Sequence, residues 1–443
     1  MMRVLCTGIV RPMLTYGSIV WAQAAAKVVN ESELKRLNRL AATTWAHFRR
    51  STPTAGLEIF GYLPPVDLFV KGEAIKAWFR IKETRQEKWD GIGNLKIQKG
   101  HRKYLTDSVN KWELKEYEWD DIPLTQKFHG NYDTDAGPRE RAVPTPLGST
   151  LIHTYGRVQK QGASASFIIR QGENDWKGEH IPLGNFPTSL QAKIFAISAA
   201  AQYTVHSEKG GRNAPPVVIL SDSRMAIQML DSPKIKSKIV AECTRILDKL
   251  GENTKVQISW TMAGLEPKLG TKINMQVQEM GLIGPEPCLP VTKNQRNRDI
   301  QQALEGEWVK RWQSRTDCRQ SKMNWPKPDR EKSLNLLCLQ REQVGECIQM
   351  LSGHNFLKRH MFIAKEVGDP ECRLCGGENN AEETSDHIIR ECPALAIQRC
   401  RHLGKVALDQ CDLGQWCIKN LSHFFSVVRE TLDSTEMNAY DVL

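Results

Sequence analysis

Two kinds of hydrophobic pattern succeed each other along the chain. From 32 to 48, Leu34, Leu37, Leu40, Ala41, Thr44 and Trp45 recur at helical spacing, with Asn30 or Ser32 placed to cap the start. A second helix is expected over 66–81. Between them TPTAGLEIF, ending at Gly61 before Pro64 and Pro65, reads as a short helix and a turn. The stretch 84–148 is polar and lacks sustained periodicity, so it reads as a linker. From 149 onward strands and helices alternate, with strands over 149–156, 163–170, 175–181, 216–221 and 254–261. Helices fit 188–207, 223–231, 234–250 and 270–281. Three strands followed by strand–helix alternation predict an α/β domain with a mixed five-stranded sheet and flanking helices. Beyond Gly284 the helical period returns over 294–315 and 330–350.

Length and charge narrow the picture. A chain of 443 residues exceeds what one core usually supports, so several domains are expected. With 40% hydrophobic and 25% charged residues, most of it should fold. The excess of 61 Lys and Arg over 51 Asp and Glu, a net +10, favours a polyanion as partner over an acidic protein or a neutral ligand. No membrane-spanning segment is expected. The opening MMRVLCTGIVRPMLTYGSIVW is interrupted at Arg11 and Pro12 and reads as folded protein, not a signal peptide, which implies a nuclear or cytoplasmic, non-secreted chain.

The 12 cysteines are too sparse for a disulfide scaffold, and they cluster toward the C-terminus as metal ligands in a reducing compartment would. Cys372 and Cys375 stand two residues apart, His387 follows after eleven residues and Cys392 after four more. Two thiolates on a knuckle, joined by a His and a Cys from a following helix, supply the closed tetrahedron of a structural Zn²⁺. Gly376 and Gly377 allow the turn after the knuckle, and Thr384 or Ser385 can cap the helix presenting His387. Cys400, Cys411, Cys417, His402 and His423 lack ligand spacing and read as core or surface residues.

Between Lys293 and Arg330, ten basic residues are interleaved with Trp308, Trp312 and Trp325. Such a segment can contact a single strand through phosphates and stacked bases. Ile300, Leu304, Trp308 and Trp312, however, repeat every four residues, the spacing of a buried helix face. Core packing is therefore the preferred reading.

Longer strings carry a resemblance. TGIVRPMLTYGSIVW, the Leu-rich helix and RSTPTAGLEIFGYLPPVDLFVKGEAIKAWFRI are similar to the segment after the polymerase palm in Jockey-like non-LTR retrotransposon pol polyproteins. LSGHNFLKRHMF, CRLC and ECPAL resemble the C-terminal region of the same proteins. The resemblance implies six parts: 1–83, a helical segment; 84–148, a linker; 149–282, an RNase H-like domain; 283–371, a helical connector; 372–392, the zinc finger; and 393–443, a helical tail. The palm's acidic motif has no counterpart, so reverse transcription by this chain alone is not expected.

Within 149–282 the resemblance is to a type-1 RNase H that has lost most of its metal ligands. That chemistry uses four carboxylates around two Mg²⁺ ions. IHTYGRVQKQGASASFII matches the family's first strand and turn, with Tyr155 where the family has Asp. SLQAKIFAI matches the first long helix, with Lys193 in place of Glu. VVILSDSRMAIQML retains Asp222, and GTKINMQVQEMG puts Met275 at the last carboxylate position. In WTMAGLEPKLG, Gly264 or Leu265 replaces the loop histidine.

Lys193 should repel Mg²⁺ and pair with Asp222, or meet a phosphate. Stripped of its partners, Asp222 reads rather as a cap of the 223–231 helix than as a catalytic group. Neither Asp175 nor Glu179 lies where a replacement carboxylate would be needed. The expectation is a retrotransposon-derived protein that binds RNA, DNA or their hybrid, with a structural Zn²⁺ and an inactive RNase H-like domain. The alternatives are a working RNase H using Mg²⁺, or a decayed copy with no selected role.

Overall fold

The computed structural model describes residues 6–84, 99–115, 117–127, 130–137, 146, 148–160, 162–170, 176–207, 215–261, 289–376, 380–409 and 417–440. The chain forms two compact units. One comprises Met1–Trp78, Asn94–Glu113 and Ile300–Leu443, and the other Phe79–Gly93 and Leu114–Asp299.

The first unit is helical, and it joins N-terminal and C-terminal segments that the sequence pattern assigns to separate parts. Its N-terminal helices include Val28–Trp45, Thr54–Phe60 and Val66–Thr84. The Val28–Trp45 helix begins four residues before the expected start, because neither expected cap acts as one. Asn30 donates back to the Ala24 carbonyl and Ser32 to the Val29 carbonyl, while Lys27 occupies the cap position without a side-chain bond.

In the C-terminal part, the expected helix over 330–350 is two helices, Arg330–Leu337 and Arg341–Ser352, each with its own cap. Asp329 accepts from Lys332 N, and Gln340 and Gln343 form a reciprocal capping box. Ile300, Leu304, Trp308, Trp312 and Trp325 are all at most 2% exposed. Trp312 Nε1 donates to the Trp325 carbonyl at 3.1 Å, and Trp325 meets Phe60 edge-on with ring centroids 5.3 Å apart. The indoles are therefore core, and base stacking by them is ruled out by burial.

The second unit is a mixed α/β layer whose sheet has six strands, one more than expected. The strands are β1 (Asp121–Gln126), β2 (Tyr132–Asp135), β3 (Thr150–Gln159), β4 (Gly162–Arg170), β5 (Trp176–Gly184), β6 (Val217–Ser221), β7 (Lys234–Ser237) and β8 (Val256–Trp260). The large sheet runs β2-β8-β6-β3-β4-β5, while β1 and β7 pair as a separate two-stranded ribbon. β3, β4 and β5 are antiparallel neighbours, and β6, β8 and β2 extend the sheet in parallel from β3.

The sixth strand comes from the stretch read as a linker, which also holds β1 and the helix Lys99–Lys111. Four residues of YDTD carry no apolar alternation. Their pairing with β8, from Tyr132 opposite Val256 to Asp135 opposite Ser259, arises only in three dimensions. Likewise Lys234–Ser237, expected as the first turn of a helix, pairs with β1, and Ser237 caps the following helix, Lys238–Gly251.

The central strands are buried on both faces, as parallel and central positions require: every residue of VVILS in β6 is buried, and all but the last of GASASFIIR in β4. The helix Ser189–Ser207 packs on this sheet through Ala192, Ala196 and Ala200, each 0% exposed at four-residue intervals. Side chains this small let the helix axis approach the strands. Its start is fixed by Thr188 and Gln191, each accepting from the other's backbone N–H.

Candidate metal centre and strand-end crevice

The order of the strands creates a crevice. From β3 the chain moves to one side through β4 and β5; after the helix Ser189–Ser207 it returns to the other side of β3 as β6 and then β8. Strand order reverses between β3 and β6, and α/β sheets bind ligands beyond the carboxyl ends of strands at such a point. The last registered pair of β3 with β6 is Thr154 with Ser221, so Tyr155 is the next residue on β3 and Asp222 the first residue past the end of β6. The Thr154 hydroxyl donates to the Leu220 carbonyl at 2.9 Å and ties β3 to the end of β6.

Gly156 brings the third participant in. A Cβ at this position would lie 2.3 Å from the Lys193 backbone nitrogen, so only glycine allows helix and strand to come this close. Lys193 Nζ then reaches Asp222 Oδ2 at 3.1 Å, with the two side chains 21% and 19% exposed. The other carboxylate oxygen, Oδ1, is buried with no hydrogen bond among the described residues.

The expected capping role falls to Ser223 instead, whose hydroxyl accepts from Ala226 N at 3.2 Å. Arg224, exposed at the first turn of the helix Arg224–Asp231, lies over the Trp260 ring at 3.9 Å from its centroid. Met275, Gly264 and Leu265 lie outside the described residues, as do the helix expected over 270–281 and Asp175. Glu179 is exposed on β5 opposite Phe167, three strands away from β6, which Asp222 follows. Across the sheet from Tyr155, Ser166 Oγ and His180 Nδ1 are hydrogen-bonded at 2.8 Å and buried, a polar pair that no sequence motif signalled.

The candidate metal centre lies in the helical unit. Ligand atoms of Cys372, Cys375, His387 and Cys392 all fall within 4.8 Å of one another. Cys372 Sγ is 4.0 Å from Cys392 Sγ, and Cys375 Sγ is 3.5 Å from His387 Nε2. Thiolates 2.3 Å from a tetrahedral ion stand about 3.8 Å apart, and a thiolate and an imidazole nitrogen somewhat less. The four groups therefore fit a metal such as zinc, with no ligand missing.

Without an ion, two facing thiols can share a proton but cannot both ionise. The Cys372 thiol hydrogen-bonds to Cys392, which pushes Cys372 up to about 12 and holds Cys392 below the usual thiol range. A divalent cation held by Cys372, Cys375, His387 and Cys392 would take the place of that shared proton.

The surroundings hold the ligands in place. Cys372 N donates to the Ala381 carbonyl, and Gly376 takes the left-handed conformation at φ +62° that turns the chain after the knuckle. Thr384 is the cap, its hydroxyl accepting from His387 N at 3.0 Å. Arg373, inside the knuckle, forms a forked ion pair with Glu383, whose side chain is 0% exposed. Arg399, 1% exposed, donates to the carbonyls of Ile388, Cys392 and Val406 and so ties the helix Ala396–Leu403 to the ligand segment. Cys400 and Cys417 are exposed and stand outside the cluster, and Cys411 lies outside the described residues.

Among the described residues no helix is long and apolar enough to cross a membrane. No known protein-family model matches the chain, and no curated protein matches it.

Proposed function

We propose that this chain is a retrotransposon-derived, non-catalytic protein that binds nucleic acid, built around an RNase H-like sheet that has exchanged its metals for an ion pair. The carrying observation is the Lys193–Asp222 contact at the strand-order reversal. An ammonium 3.1 Å from the Asp222 carboxylate already neutralises the charge that would attract Mg²⁺. Of the four positions where the resemblance places carboxylates, only Asp222 keeps one, and one carboxylate cannot hold two metal ions, so generation of hydroxide there is not expected. The three-strand meander followed by strand–helix alternation supports the RNase H-like reading, as do the sequence strings that surround Tyr155, Lys193 and Asp222.

The +10 balance supports a polyanionic partner, RNA, DNA or their hybrid, contacted through phosphates. The Cys372–Cys375–His387–Cys392 set is read as a closed structural zinc site, because all four positions are protein ligands and none is left for substrate. Free thiols throughout the described residues accord with an intracellular, reducing compartment.

The test is incubation with a labelled RNA–DNA hybrid in Mg²⁺ or Mn²⁺, scored for both retention and cleavage. Binding without product is expected. Cleavage that disappears in Asp222→Asn would overturn the reading in favour of a working RNase H.

A further inference from the structure

A second cluster of donor groups lies in the helical unit, away from the four zinc-type ligands. His354 Nδ1 is 3.1 Å from Ser51 Oγ, and His360 Nε2 approaches the same oxygen from another direction at 3.3 Å. The two rings lie 5.1 Å apart, centroid to centroid, at 66° to each other. Two imidazoles thus converge on one exposed hydroxyl. The hydroxyl has one proton to give, so one ring must accept it while the other donates an N–H back.

We propose that Ser51, His354 and His360 form a second metal site, open to solvent and weaker than the cysteine site, for a borderline divalent ion such as Zn²⁺ or Ni²⁺. Atoms bound at about 2.1 Å to a common ion stand about 3.0 Å apart when octahedral neighbours and about 3.4 Å apart when tetrahedral ones. The observed 3.1 and 3.3 Å lie in that interval. Two imidazoles and a hydroxyl are a nitrogen-rich donor set of the kind such ions select, and water completes the shell on the exposed side.

The outward ring nitrogens, His354 Nε2 and His360 Nδ1, have no hydrogen bond among the described residues, so both rings can carry their proton there and turn lone pairs inward. Burial and neighbouring positive charge, from His360 on His354 and from Arg49 on His360, hold both rings below the ordinary histidine range. They are thus neutral donors at pH 7, suited to a cation and not to a phosphate. Arg49 is itself paired, 3.6 Å from the Glu366 carboxylate, and Glu366 favours positive charge at His360.

The cluster is built, not incidental, because each histidine is held from behind by the segment carrying the cysteine ligands. His354 follows Gly353, which ends the helix Arg341–Ser352 in the left-handed conformation, and precedes Asn355, 1% exposed and bonded to Ser385. His360 lies on the short helix Lys358–Ile363, whose first N–H groups are taken by Glu383: Lys358 N by its carboxylate at 3.0 Å and Arg359 N by its carbonyl at 3.3 Å. Ser51 is fixed by Arg39, whose guanidinium donates to the carbonyls of Arg50 and Thr52, both at 2.6 Å.

The experiment uses untagged full-length protein with its tightly bound metal retained, titrated with Ni²⁺ by calorimetry near neutral pH. One additional Ni²⁺ per chain is expected. His354→Gln and His360→Gln should each weaken it by about tenfold or more, the scale on which losing even a supporting group acts at metal sites. Both should leave the tightly bound metal content unchanged. Independently of any variant, Ni²⁺ should protect His354 and His360 of the native chain from diethylpyrocarbonate, read by peptide mass spectrometry. Absence of bound Ni²⁺, unchanged binding in the folded double variant, or equal modification with and without Ni²⁺ would each overturn the proposal and leave a hydrogen-bonded surface trio.

Discussion

Lys193 and Asp222 sit 29 residues apart in sequence and 3.1 Å apart in space, where β6 ends beside the middle of β3. The pair puts an ammonium beside the carboxylate at the strand-order reversal. Lys193→Met should strand that part-buried carboxylate and lower stability by about 1–2 kcal/mol, while Lys193→Met with Asp222→Asn should recover part of the loss. Chemical denaturation of the two single variants and the double variant measures the coupling. Strict additivity would show that the contact contributes nothing.

No metal-dependent hydrolysis of RNA–DNA hybrids is expected from the native chain. Tyr155→Asp, Lys193→Glu and Met275→Asp together should raise Mg²⁺ binding, whereas each alone should not, because two ions need several carboxylates at once. Calorimetric Mg²⁺ titration of the native chain and the four variants decides it. A single substitution that restores binding would mean that another carboxylate already serves the site.

One tightly bound metal ion per chain, zinc, should accompany protein purified without added metal and dialysed free of weak binders. Cys372→Ser with Cys375→Ser should abolish it, since the closed site then has two ligands instead of four. Elemental analysis provides the readout. Unchanged stoichiometry in the double variant would remove the assignment.

Nucleic-acid binding should tolerate any sequence and fade with salt, losing about tenfold or more between about 50 and about 200 mM, because phosphate contacts release counterions. Titrations of unrelated single strands at both salt levels test this. Salt-independent affinity, or none at the lower salt, would count against it.

Glu58 should make the helical unit lose stability as the pH rises from mild acid to neutrality. Its side chain is buried at 6% exposure and receives a 2.8 Å hydrogen bond from Asn38, whose amide oxygen in turn accepts from Arg11. Burial raises its pKa to about 7, against the opposing pull of the Asn38 hydrogen bond. The folded chain thus holds this proton more tightly than the unfolded chain. The stability it contributes is complete below the ordinary carboxylate pKa and is lost as pH rises through about 7, a loss of about 3 kcal/mol. Glu58→Gln keeps the acceptor for Asn38 without the charge and should flatten the decline between pH 5 and pH 8 in urea unfolding. An identical decline in both proteins would locate the effect elsewhere.

What the sequence determined by itself was local. Runs such as VVILS and GASASFII announced strands by composition. The four-residue stripe of Ile300, Leu304, Trp308 and Trp312 announced a buried helix face, and the spacing of Cys372, Cys375, His387 and Cys392 named the four groups that the fold brings within 4.8 Å. These features repeat over one or two turns or close over a short loop, so their energetics are contained in neighbouring residues.

The tertiary structure decided what needs distant partners. YDTD became a sheet strand only because β8 offered an unpaired edge, and Lys234–Ser237 left the helical state because β1 was there to pair with it. Asp222 met Lys193 and left capping to Ser223 because Gly156 admits the helix so close to β3. Ser51 faces histidines 303 and 309 residues away, a convergence that no periodicity encodes. Hydrogen bonds and ion pairs of this kind are geometric coincidences of packed elements, and burial is what gives them their strength.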